Sequence, residues 1–136
     1  MSSRKNRKLF SAQGMVEFAL VGPLFFLILL GTIEMGRLMW VNHELTNGTR
    51  EGARWAAVRG AKSGENINNT DVRAIILDRT SAIGNGLTVT LTWSPDREPG
   101  SQVTVATTYP YQPMVGGFLG IGTINLSRQS SMTVHY

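Results

Sequence analysis

Glu17 and Glu34 bracket sixteen uncharged, mostly apolar residues, Phe18 to Ile33, and Arg4, Lys5, Arg7 and Lys8 stand shortly before them. The chemistry on offer is a charge problem rather than a reaction. A carboxylate at the edge of an apolar segment is poorly solvated, and a charge at the middle of a membrane helix costs ~2.5–3.5 kcal/mol, less near an interface, so Glu17 calls for a cationic partner. Glu34 and Arg37, three residues apart, share one helical face, where they either pair or simply mark a membrane boundary. Arg50, Glu51 and Arg54 allow i, i+3 and i, i+4 pairs worth a few tenths of a kcal/mol. No spacing supplies bond-making machinery. His43 and His135 are the only histidines, and neither lies in HExxH or beside a carboxylate cluster. No GxSxG, Walker A or GxGxxG motif follows a strand pattern, and no serine, histidine and acid form a recognisable triad. The expectation is therefore no enzyme, no metal and no cofactor.

The element that must hold Glu17 is a helix. Met15 to Trp40 is broken only by Glu17, Glu34 and Arg37. Sixteen helical residues rise about 24 Å, short of a ~30 Å hydrocarbon core, and extension to Met15 and Met35 makes the span sufficient. The basic residues before it predict an N-in orientation with the C-terminal domain outside. A secretory signal peptide begins in the same way. However, the apolar run exceeds a usual h-region, and Glu34, Arg37 and Trp40 do not resemble a small-residue cleavage site, so the helix is read as retained. Pro23 removes one intrahelical bond, which membrane helices tolerate. Trp40 fits an interfacial anchor, whereas Trp55 and Trp93 are read as core.

Net charge confirms the division of the chain. Of thirteen Lys and Arg, four lie in residues 1–12, which hold no acid, so the remaining nine balance the nine Asp and Glu. The basicity thus belongs to the leader and not to a nucleic-acid surface. No cysteine is present, which excludes a disulfide framework. The organisation expected is a basic cytoplasmic leader over 1–12, a transmembrane helix over 13–40, and a stalk helix with an α+β head over 41–136.

The stalk is predicted to run to about Gly60, with Met35, Leu38, Met39, Leu45, Arg54 and Trp55 keeping it amphipathic. Gly48, Gly52, Ala56 and Gly60 recur every four residues as a stripe of minimal side chains, which admits a close backbone approach from the protein's own sheet or from another subunit. Ala61 to Asn69 reads as a polar loop, and Thr70 or Asp71 as the N-cap of a short helix ending near Gly84 or Gly86. Leu87, Val89, Leu91 and Trp93 alternate with threonines as a half-buried strand, and Val103 to Tyr109 forms its hairpin partner, ended by Pro110 and Pro113. Residues 114–122, MVGGFLGIG, are apolar but glycine-broken. They are too irregular for a second crossing and are expected as a loop on the sheet or at the lipid surface. Ile124 to Tyr136 alternates as a last strand, in which inward Arg128 and Ser130 suggest a bulge.

Together, the basic leader, early carboxylate, apolar helix, stalk and small antiparallel sheet resemble type IV pilin-like proteins. More narrowly, Val16, Glu17, Phe18, Ala19, Leu20 and Pro23, then Gly31, Glu34, Gly36 and Arg37, then Arg50, Glu51, Gly52, Ala53 and Arg54 resemble the TadE-like family, the pseudopilins or minor pilins of tight-adherence systems. This resemblance covers about a third of the chain. It implies cleavage by a prepilin peptidase between Ala12 and Gln13, leaving the glutamate fifth in the mature chain. The family usually has glycine before the cut. Here Ala12 stands there, nearly as small, while Gly14 comes two residues late.

The fold expected is α+β, a long N-terminal transmembrane and stalk helix packed on a small antiparallel sheet in the pilin-like manner, with a short second helix. The function expected is structural. A minor pilin or pseudopilin would assemble through Phe18, Leu20, Pro23, Phe25, Phe26 and Ile28, with Glu17 paired to the free amine of Gln13 in its own or a neighbouring subunit. Implied partners are other pilin subunits, the pilus assembly platform, the prepilin peptidase and membrane lipid, but no nucleic acid. The implied location is the cytoplasmic membrane, then the cell surface or pilus. The repeating major subunit and a monomeric membrane-anchored binding module are the alternatives.

Overall fold

A computed structural model describes residues 3–60, 64 and 66–135, with the side chains of 3–12, 118 and 119 outside the description. Helix α1 spans Ser3–Ala57, α2 Asn69–Arg79, β1 Thr88–Ser94, β2 Gln102–Tyr111, α3 Gly116–Leu119 and β3 Ile124–Thr133. The fold is α+β, with one antiparallel sheet of order β1-β2-β3. The chain divides into two compact units, 1–36 and 37–136.

The first unit is helix throughout its described residues, with Pro23 inside it. Pro23 has no N–H to give the carbonyl four residues back, a loss that helices in an apolar medium tolerate. Residues 1, 2, 61–63, 65 and 136 lie outside the described residues.

In the second unit, the C-terminal part of α1 buries Val41, Leu45, Thr49, Ala53 and Ala56 at helical spacing against the sheet and α2. Met35 and Met39, expected on the amphipathic face, are instead 61% and 56% exposed. Gly48 and Gly52 face α2 rather than the sheet. A Cβ on Gly48 would lie 2.9 Å from Ile76 Cγ2, and one on Gly52 3.0 Å from both Ile76 Cδ1 and Val72 Cγ1. Ala56 and Gly60 are buried further along the chain. Close helix approach therefore explains Gly48 and Gly52.

The start of α2 differs from expectation by up to three residues. Asn68 is its N-cap, accepting from the amides of Thr70 at 2.8 Å and Asp71 at 3.1 Å, while Asp71 Oδ2 accepts from Asn68 N at 2.9 Å. This reciprocal pair satisfies donors that a helix start otherwise leaves open, which is why Asn68 prevails over Thr70 and Asp71. The helix ends at Arg79 with Thr80 as C-cap, before the glycines expected to stop it.

Strand pairing is uninterrupted on both ladders. Val89 faces Thr107, Leu91 faces Val105 and Trp93 faces Val103, while β2 meets β3 from Gln102↔Thr133 to Tyr111↔Ile124. Two expectations are corrected here. Pro110 does not end β2, because beyond Thr108 the strand has β3 on one side only, and an imino residue there removes no β1–β2 bond. Nor does β3 carry a bulge. Leu126, Arg128, Ser130 and Met132 all share one half-buried face at regular alternation.

Arg128, at one of the polar inward positions, has partners on α1. Arg128 donates from Nε to Thr46 Oγ1 at 3.2 Å and from Nη2 to Asn42 Oδ1. Beneath them, Thr49 and Thr107 hydroxyls lie 2.6 Å apart, and Thr49 Oγ1 donates to Leu45 O at 2.6 Å. This polar seam lets α1 cover the sheet without stranding a charge. The loop expected over 114–122 contains the single turn α3, closed by Gly120 at φ +67°.

Candidate functional site

Two surfaces need weighing as sites: the apolar length of α1, and the clefts of the second unit. Along α1, Phe18 is 75% exposed, Leu20 73% and Ile28 61%, and Phe25 and Phe26 are also more than half exposed. Phe25 and Phe26 stack edge-on at 5.6 Å. The helix from Gln13 onward is long and apolar enough to cross a membrane. Such a continuous uncovered apolar length is far beyond the isolated surface hydrophobes of a water-soluble domain, and it fits a single-pass membrane anchor.

Glu17 sits on this length. Its Oε1 accepts from Gln13 Nε2 at 3.4 Å, one helical turn back, so Gln13 and Glu17 occupy one face. Gly22 and Pro23 follow within the same helix, and Thr32 Oγ1 donates to Ile28 O at 2.9 Å, hiding its hydroxyl from an apolar surround. Ala12 lies in the helical backbone, with its side chain outside the description.

The second unit uses its charges structurally. Glu44, unremarked by sequence reasoning, accepts from Ser81 N at 2.9 Å, Ser81 Oγ at 3.0 Å and Ala82 N at 2.7 Å, tying the segment after α2 to α1. No local pattern announces it, because its partners lie 37 and 38 residues away. Arg73 donates to Leu87 O and Asn85 O, and Arg97 to Asn66 Oδ1 and Ile67 O. Arg54 forks onto Glu51 at 2.6 and 2.9 Å, which lowers the Glu51 carboxyl and raises the Arg54 guanidinium. Trp55 and Trp93 are half-buried against the core, and each carries a guanidinium over its ring, from Arg59 at 4.4 Å and Arg97 at 5.2 Å.

A cleft of about 510 Å³ opens among Arg37, Trp40, Ser81, Asn85, Tyr109 and Tyr111. Arg37 donates to Gln112 O at 3.3 Å and lies 4.9 Å over the Tyr111 ring. Ser81, whose Oγ donates to Glu44, lines the cleft, and no histidine does. His43 and His135 are both exposed, and among the described residues no group of three or more metal-binding side chains gathers.

The apolar helix with its early carboxylate is thus the distinctive surface, and comparison with known families bears on that part of the chain. Residues 12–54 match the model of the TadE-like protein family. The match takes in Glu17, the exposed apolar run, Arg37, and the glycines that face α2, and it stops before α2 and the sheet. No curated protein and no solved structure was found to match the chain.

Proposed function

We propose that this chain is a membrane-anchored structural subunit of a tight-adherence, type IV-like pilus, a minor pilin or pseudopilin that assembles through the apolar face of α1. The single observation that carries the reading is the uncovered apolar helix with Glu17 near its start, in the segment that matches the TadE-like family. In the membrane this helix anchors one copy, with its basic end in the cytoplasm and residues 41–136 outside. In an assembly the same side chains pack against those of neighbouring copies.

A prepilin peptidase cutting between Ala12 and Gln13 would create a free amine one turn from Glu17. That amine, or a neighbour's, neutralises the carboxylate and fixes the axial register of one helix against the next. The assembly platform and the other pilin subunits are the partners of this step.

Single cysteines placed between Phe18 and Ile33 test the reading directly, since the chain has no native cysteine. Disulfide crosslinks should form between copies, in cells that carry the whole system. Glu17→Gln should insert normally but reduce pilus assembly severalfold, and the processed protein should have the mass of a chain beginning at Gln13. Unchanged piliation in the glutamine variant would remove the role given to Glu17.

A further inference from the structure

We propose that the turn between β2 and β3, residues 112–123, is a second membrane contact that rests in the interfacial layer of the bilayer crossed by α1. This rests on reading α1 as a membrane anchor. The turn is folded, not loose. Gly116 N donates to Pro113 O at 3.2 Å and Ile121 N to Gly116 O at 3.0 Å, and a Cβ on Gly116 would meet Ile121 O at 2.4 Å. These bonds close the backbone while leaving apolar side chains outward: Met114 is 76% exposed and Ile121 47%. Residues 112–123, QPMVGGFLGIGT, carry no charge.

The occupant is indicated by what lies beside the turn. Arg37 follows two residues after Met35 at the end of the apolar span, and its guanidinium donates to Gln112 O and covers the Tyr111 ring. The first residue of the turn is therefore held beside Arg37 of α1. Met39 and Trp40, the next exposed apolar residues on α1, are 56% and 55% exposed, and Trp is suited to the headgroup layer. A small apolar surface beside an arginine and a tryptophan matches an interfacial contact.

The test uses the full chain with one cysteine at a time, Met114→Cys, Ile121→Cys, Leu24→Cys or Asp78→Cys, nitroxide-labelled, with one copy per lipid nanodisc. Labels at 114 and 121 should show a severalfold higher ratio of oxygen to nickel-chelate relaxation than the label at 78, approaching the label at 24. Aqueous readings at 114 and 121 with a lipid reading at 24 would overturn the contact and leave the anchor intact. Shielding seen only with several copies per nanodisc would assign the turn to a second copy and also overturn it. An aqueous reading at 24 would sink the anchor and this proposal together.

Discussion

Thr49 and Thr107 show how the residue scale decides the packing of α1 on the sheet. Both are 1% exposed, Thr49 donates to Leu45 O, and the two hydroxyls share a hydrogen bond. Thr49→Val leaves a buried hydroxyl on Thr107 with only the 3.3 Å contact to Arg128 O. Its expected cost is ~1 kcal/mol, and the Thr49→Val/Thr107→Val pair should cost less than the sum of the singles, because apolar isosteres remove donor and acceptor together. Urea denaturation of the four proteins in detergent measures this, and strict additivity would deny the coupling. Asp96 makes a separate prediction. Its carboxylate accepts from Ser101 Oγ and from Glu98 N, which hold its pKa below the ordinary value. A depressed native value means that this contribution to stability is complete above the ordinary carboxylate range and is lost as pH falls below ~4 through the native value. In a carbon-detected NMR titration, Ser101→Ala should move the Asp96 midpoint upward, and an unmoved midpoint would exclude the hydroxyl as its main cause.

Among the elements, α1 and α2 meet through absent side chains. Alanine favours a helix over glycine by ~1 kcal/mol, yet a Cβ on Gly48 would sit 2.9 Å from Ile76 Cγ2, a methyl fixed close to its own backbone. Overpacking costs ~1–3 kcal/mol, so Gly48→Ala should be destabilising by ~1 kcal/mol net. A thermal or urea midpoint that rises instead would show that α2 yields easily. The four-residue recurrence of Gly48, Gly52, Ala56 and Gly60 was legible in the sequence, but its partner was not. Small side chains permit close approach without specifying whether a sheet, a helix or another copy makes it. The same limit applies to β3. Arg128 and Ser130 at inward positions read as a bulge until Asn42 and Thr46, over eighty residues away, supply the partners of Arg128.

At the scale of the whole molecule, the two compact units divide the work between an uncovered apolar helix and a domain with its own core. The chain from Arg37 to Tyr136 has its own hydrophobic cluster of α1, α2 and sheet residues, so the expected behaviour of this fragment alone is a folded monomer. Sedimentation equilibrium checks this. A fragment that self-associates as strongly as the full chain would place the assembly surface in the second unit and count against helix-mediated association.

The sequence by itself determined the membrane-length helix, the alternation of β1 and β2 and the α+β class, because each follows from the local period of apolar residues. It also singled out Glu17, whose cost in an apolar medium depends on its immediate neighbours. Only the tertiary structure decided that Asn68 caps α2, that Glu44 holds Ser81 and Ala82, that Pro110 continues β2 and that Gly48 and Gly52 receive Ile76. Those outcomes depend on which distant groups arrive within bonding or contact distance, and neither periodicity nor composition carries that information.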